Sequence, residues 1–214
     1  MAMTVIVTVF AAYLIGSINF AIIFAKAFMK KDVRELGSGN AGATNVMRNA
    51  GFLPGALTFL FDALKGFVAS YIGKFVFDYI FSITNNELLN GIIGAFLCGL
   101  ACMLGHVFPF FFGFKGGKGV ATSVGIFAVC CPVAIVIGVA LFAILLFASK
   151  YVSLSSIAAT IAVVVFTIVF CDKTVLIFPQ IVLTLIMGAI VIGKHIDNIK
   201  RLIAGTENKV KFGG

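Results

Sequence analysis

The stretch VATSVGIFAVCCPVAIVIGVALFAILLFA, residues 120–148, decides the fold. It contains no Asp, Glu, Lys or Arg. A membrane-spanning helix needs about 20 apolar residues at 1.5 Å rise each, and this run is half as long again. Pro132, near its centre, breaks or kinks a helix. Division at Cys131–Pro132 predicts two short helices, 120–131 and 132–149. Further apolar runs lie outward of it at about 3–25, 52–80, 91–112, 151–171 and 174–193.

Charge decides between one helix and two. Six plain spans would put the cations Lys194, Lys200, Arg201, Lys209 and Lys211 on the side where the chain starts. Positive charge is retained on the cytoplasmic side, and Lys26, Lys30, Lys31 and Arg34 closely follow the first run. The N-terminus is therefore expected outside and the C-terminus in the cytoplasm. Splitting the long run restores that parity with seven crossings. Thirteen of the sixteen Lys and Arg then lie at the cytoplasmic face, all but Lys65, Lys74 and Lys173. A five-crossing arrangement keeps the same parity and is the alternative. The first run has no cation before it and no small-residue cleavage site, so it reads as an uncleaved anchor.

The chain is 61% hydrophobic and 11% charged, with a mean hydropathy of +1.16. A soluble domain carries about 25% charged residues, which excludes that class. Apolar runs extend from end to end, so residues 1–214 read as one all-α polytopic membrane domain. The net charge of +8 is explained by the cytoplasmic bias and by attraction to anionic lipid, and needs no nucleic-acid partner. The five cysteines lie in or beside apolar segments without metal-site spacing and read as small hydrophobes.

Three polar islands interrupt this background. The first runs Gly37-Ser38-Gly39-Asn40-Ala41-Gly42-Ala43-Thr44-Asn45, with Arg48 following. Asn40 or Thr44 is expected to cap the next helix, so that its N-terminus and Arg48 converge on one anion. Arg grips phosphate bidentately, whereas a plain turn-rich loop needs no such residue. The second island runs from Gly105-His106 to Thr122, with Lys115, Gly116, Gly117, Lys118 and Gly119 before an apolar helix. A glycine loop opening a helix offers several N–H groups to an anion. The Walker pattern is not met, and no acidic partner for magnesium follows, which argues against an ATPase. In the third island His195 and Asn198 share one helical face, with Arg201, Glu207 and Lys209 beyond and Gly205 as a helix stop. A basic tail lying on lipid would explain the lysines but not this pair. Asp62 and Lys65, one helical turn apart inside the second run, are costly charges whose role is open between helix packing and function. GxSxG, HExxH and the His-x4-Asp pattern of CoA-dependent acyltransferases are all absent.

At GSGNAGATNVMR (37–48), GHVFPFFFGFKGGKGVAT (105–122) and HIDNIKRLIAGTENK (195–209) the chain resembles the bacterial acyl-phosphate:glycerol-3-phosphate acyltransferases, the PlsY family. The likeness covers the whole chain in motif order and spacing. It implies a seven-helix fold in the bacterial inner membrane, with the active site at the cytoplasmic face. By this resemblance Ser38, Arg48, His195 and Asn198 are expected to be catalytic. Asn45, His106, Lys115, Gly116, Gly117, Lys118, Gly119, Thr122, Arg201, Glu207 and Lys209 are expected to bind substrate. The implied reaction moves an acyl group from acyl phosphate to the sn-1 hydroxyl of glycerol 3-phosphate, releasing lysophosphatidic acid and phosphate. This is an early step of phospholipid synthesis, and no metal or cofactor is implied. Lys115 and Lys118 would hold the donor phosphate; Arg48, His195, Asn198 and Arg201 would hold the acceptor. The donor's own phosphate is the first candidate for proton acceptor and His195 the second. An organophosphate transporter is the rival reading, although the two halves show no inverted repeat.

Overall fold

Pro132 opens a helix, where its fixed φ and missing N–H do no harm. Before it, Cys131 turns the chain at φ −155°, ψ 82°. The long apolar run is thus divided where the sequence indicates. The computed structural model describes residues 1–171, 173 and 176–210; Lys211 lies outside the described residues. In chain order the helices are α1 (Ala2–Ser17), α2 (Phe20–Met29), α3 (Ala43–Ala50), α4 (Phe52–Thr84) and α5 (Gly91–Val107). They continue with α6 (Val120–Cys130), α7 (Pro132–Ser149), α8 (Val152–Phe170), α9 (Ile177–Gly193) and α10 (Ile196–Ile203). No β-strand occurs among the described residues.

Five helical stretches are long and apolar enough to cross a membrane: Ala2–Met29, Phe52–Thr84, Gly91–Phe112, Pro132–Ser149 and Val152–Phe170. The pair α9 and α10, bent by 53°, adds a sixth only when taken as one span. The short α6 rises only about 16 Å over its length, half of a bilayer core. The run expected as a span at 3–25 is one apolar stretch, Ala2–Met29, built of two helices. Asn19 interrupts it, its Oδ1 accepting a hydrogen bond from Ile22 N at 3.1 Å to start α2. An amide inside an apolar run competes for the backbone and starts a new helix.

α4 and α5 form the centre, with α1 and α6 packed on them. Close approach there depends on small residues. A Cβ at Gly125 of α6 would collide with the backbone of Ala63 on α4, and one at Gly105 of α5 with that of Tyr13 on α1. α7 and α8 pair with each other and lean on the centre through α6 and α9. Phe96, Met103, Ile126, Phe127, Met187 and Val191 fill the space between α5, α6 and α9. Wide lipid-type faces stay exposed, including Phe75, Val136, Phe147 and Phe178.

Candidate active site

The first island is folded by two internal organisers. Arg34 Nη2 meets Asp32 Oδ2 at 2.8 Å, and its Nη1 donates to Phe112 O at 2.7 Å, joining this loop to the second. That guanidinium holds the Asp32 carboxyl below its ordinary range. Asn45 is buried, and its Nδ2 donates to the carbonyls of Val33, Leu36 and Asn40 at 3.0, 2.9 and 3.1 Å. Its Oδ1 accepts from Ser38 N at 3.2 Å. Asn45 is therefore occupied in shaping the loop that presents Ser38. Helix α3 is N-capped by Gly42 with no side-chain cap. This corrects the expectation for Asn40 or Thr44: Asn40 lies before the cap position, and Thr44 is already inside the first turn. Arg48, exposed on α3, donates from Nη2 to Asn208 O at 3.3 Å.

In the second island the glycine loop doubles back on the end of α5. Gly116 N donates to Val107 O at 3.2 Å and Gly117 N to His106 O at 3.1 Å. Those two N–H groups are thus engaged within the protein. The free donors of this segment are the first-turn N–H groups of α6, which follow Gly119 at φ +88°. Lys118, half-buried, donates from Nζ to Asn198 Oδ1. Burial pulls its ammonium down to about 8. Lys115 is exposed and outside both clefts described below. Thr122 is buried on the α4 side of α6, where its carbonyl sits against Gly66.

The third island closes the same end of the bundle. His195 Nδ1 lies 2.8 Å from Val191 O, so Nδ1 carries the hydrogen and Nε2 is an acceptor. Burial and the nearby Lys118 cation bring this imidazole down to about 4, leaving it neutral. Glu207 Oε1 accepts from Asn198 Nδ2 at 2.7 Å and Ser153 Oγ at 2.9 Å, while Oε2 meets Arg201 Nε at 2.7 Å. These bonds keep the Glu207 carboxyl ionised despite burial. The strap after Gly205 is thereby bound to α8 and α10, and Val210 N reaches Lys150 O at 2.8 Å. Lys209 lies over the Tyr151 ring at 5.2 Å, away from the cleft.

All three islands meet in one polar cleft. Ser38, Asn45 and Arg48 line it from the first, His106, Lys118 and Gly119 from the second, and His195, Asn198, Arg201 and Glu207 from the third. An outer groove, sharing Ser38, Lys118, Asn198 and Arg201, adds Gly116 and Gly117. Below the polar cleft runs an apolar one between α6, α7, α8 and α9, bordered by Val124, Phe127, Gly138, Val163 and Met187. The two share Phe59, Val120, Phe142 and Ser156. Sequence reasoning missed Ser153 and Ser156. Their signal was a serine cluster, Ser153, Ser155 and Ser156, opening an otherwise apolar segment. Asp62 also reaches the cleft, from a position where packing and function were equal readings.

Fold and cleft define a class, a helical integral membrane protein with a polar, cation-lined cleft at one end of its bundle. The family model described as glycerol-3-phosphate acyltransferase matches residues 6–205. The chain is 41% identical to "Glycerol-3-phosphate acyltransferase 2" of Bacillus anthracis, over 96% of this chain and 98% of that protein. It is 40% identical to the glycerol-3-phosphate acyltransferase of Thermoanaerobacter sp. (strain X514), over 97% and 96%. The fold superposes on crystalline PlsY (YgiH), an integral membrane glycerol 3-phosphate acyltransferase in its glycerol 3-phosphate form. The TM-score is 0.83 at 37% identity, covering 97% of this chain and 96% of that one. Its lysophosphatidic acid form gives 0.80 at 36%, with the same coverage. This chain belongs to the PlsY family of glycerol-3-phosphate acyltransferases, membrane transferases of phospholipid synthesis.

Proposed function

We propose that the protein, one integral membrane domain, transfers an acyl group from an acyl phosphate to the sn-1 hydroxyl of glycerol 3-phosphate. The products are 1-acyl-glycerol 3-phosphate and phosphate. The observation that carries this reading is the continuity of the two clefts through Phe59, Val120, Phe142 and Ser156. An acyl phosphate has a charged head and an apolar tail, and the joined clefts offer cations beside an apolar trough. Crystal forms of a relative with glycerol 3-phosphate and with lysophosphatidic acid support the choice of acceptor and product.

The donor is already activated, so no covalent nucleophile is needed. Holding two reactants in register can supply about 7–11 kcal/mol of the barrier. The N-terminus of α6 and Lys118 receive the donor phosphate and stabilise its departure. Arg48 and Arg201 hold the acceptor phosphate, with Ser38 at the mouth between the two. Asn198 is steadied by Lys118 and Glu207, and the neutral His195 offers Nε2 to a hydroxyl. A base held near pH 4 is weak, so the donor's own phosphate is the final proton acceptor. Lys115 and Lys209 act as the basic rim that draws in anions, while Thr122 and Asn45 shape the loops.

The three islands at one end of the bundle support a cytoplasmic face carrying the site in a bacterial inner membrane. Seven crossings, with the N-terminus outside, require α6 and α7 to count as two separate crossings, divided at Cys131–Pro132. The transporter reading gains no support from the family match. The test is purified protein in detergent with a long-chain acyl phosphate and glycerol 3-phosphate. Lysophosphatidic acid and phosphate should form in equal amounts, and acyl-CoA should not replace the donor. Turnover with acyl-CoA alone would refute the assignment.

A further inference from the structure

Helix α10 has a side that the cleft does not use. Asn198 is buried against the cleft, and Arg201 and Leu202 are half-buried on the same side of the helix. At about 100° per residue, Ile196, Ile199 and Ile203 fall on the opposite side, with Lys200 along their edge. Ile196 is 51% exposed and Ile203 83%.

This apolar row continues the lipid face of α9. Leu185, Ile186 and Ala189 are exposed there, and steps of three or four residues lead from them through Gly193 to Ile196. The surface that meets lipid along α9 therefore runs on across the 53° bend into α10. The bend also lies at boundary depth. The apolar stretch Gly91–Phe112 ends in aromatic residues, of which Phe108, Phe110 and Phe111 are about half exposed. Aromatic rings gather where a membrane meets water. Lys194 Nζ, at the end of α9, sits 4.9 Å from the Phe108 ring centroid, which fixes the bend at that level. Beyond it the eight residues of α10 extend about 12 Å, and the 53° tilt lets them climb only about 7 Å along the α9 axis. A headgroup layer is about 5–8 Å deep, so Ile203 at the far end still lies within it.

We propose that α10 is a two-sided interfacial helix. Its row of Ile196, Ile199 and Ile203 seats in the headgroup–acyl boundary of the phospholipid leaflet at the site's end of the bundle. Lys200 lays its stem beside the isoleucines and reaches the lipid phosphates, as amphipathic side chains do at such a boundary. Its exposed pairing with Asp197 at 4.0 Å is too weak to hold it back. Asp197, a further step around the helix, lines the outer groove and stays in water. The leaflet thereby covers the apolar side of the helix whose other side brings Asn198 and Arg201 to the cleft.

The chain contains no tryptophan, so a single introduced one reports alone. Ile196→Trp, Ile203→Trp and Asp197→Trp proteins are placed in nanodiscs of phosphatidylcholine and phosphatidylglycerol. Emission is quenched either by lipids brominated on the acyl chain or by acrylamide in the water. Ile196→Trp and Ile203→Trp should lose most of their emission to brominated lipid and little to acrylamide. Asp197→Trp should show the reverse, with its emission maximum further to the red. Stronger quenching of Ile203→Trp by acrylamide than by brominated lipid would overturn the proposal, because the row would then face water. Protection from both quenchers, with two copies in each disc by mass, would assign the row to a second copy of the chain and overturn it equally. If Ile203→Trp does not fold, Ile199→Trp on the same row decides.

Discussion

Replacing Gly117 by Ala adds one carbon at the most crowded point of the site. Its φ is not in the left-handed region, so the backbone itself would tolerate alanine. The obstacle is space. The new Cβ would lie 2.7 Å from Ala41 O and 2.8 Å from His106 Cε1, and closer still to Nε2 of that ring. Ordinary contact begins near 3.4 Å, so the separation from Ala41 O must grow by at least 3.4 − 2.7 = 0.7 Å. Neither neighbour yields cheaply, because Ala41 O is backbone and the His106 ring is held against Asp62. The loop carrying Lys118 must move instead. A displacement of about 1 Å at reacting groups costs about 10²-fold in rate, or about 2.7 kcal/mol of transition-state binding. Phosphate release by detergent-purified protein, with acyl phosphate and glycerol 3-phosphate both varied, should show kcat/KM lowered by that factor. Thermal unfolding distinguishes this from general damage. Gly113→Ala is the comparison: nothing lies near its Cβ, but φ is +67°. It should cost about 1–2 kcal/mol of stability through the left-handed backbone and leave kcat/KM unchanged. Normal kinetics in Gly117→Ala would refute the claim that this glycine is required for space.

Arg48→Ala should lower kcat/KM by about 10²-fold, and Arg48→Lys should recover little of it, because a point charge does not replace a bidentate fork. Lys118 is a cation below about pH 8 and neutral above it, so KM for the phosphate substrates should rise as pH passes 8, a step that Lys118→Met should abolish. Since the folded value lies below the ordinary one, burial of the cation costs stability at low pH, and thermal stability from this group should increase as pH climbs from about 8 toward 10.5. Glu207→Gln should weaken the strap that Ser153, Asn198 and Arg201 hold, measured as faster proteolysis after Gly205 together with loss of turnover. His195→Ala and Asn198→Ala should be non-additive in kcat, because both side chains serve one cleft; full additivity would assign them to separate sites.

How much of this was legible follows from what kind of information each feature needs. The division at Cys131–Pro132 could be read because proline's constraint is local. The meeting of the three islands could be anticipated because charge bias reports on which side of a membrane a loop lies, and loops on one side of a small bundle are neighbours. Charge bias does not report which atoms face inward. Lys115 and Lys118 are equivalent as sequence, but the return of Gly116 and Gly117 onto α5 turns the first out and the second in. Asn45 and Ser38 look like equal polar partners, yet five hydrogen bonds commit the Asn45 side chain to the loop itself.

The cluster beneath the loop was illegible for a different reason. Asp62 and Lys65 show in sequence as a self-neutralising turn of helix, which is complete without a third member. The third member is His106, forty-four residues away, brought to the same carboxylate oxygen by the close contact of α4 with α5. That contact in turn depends on small residues: a Cβ on Gly94 of α5 would meet Phe77 and the backbone of Gly73 on α4. A glycine pattern that reads only as tight helix packing therefore sets the distance between a buried carboxylate and a histidine on the neighbouring helix. The charge is costly in an apolar bundle. Its cost is offset locally by Lys65, whose ammonium also donates to Ile18 O.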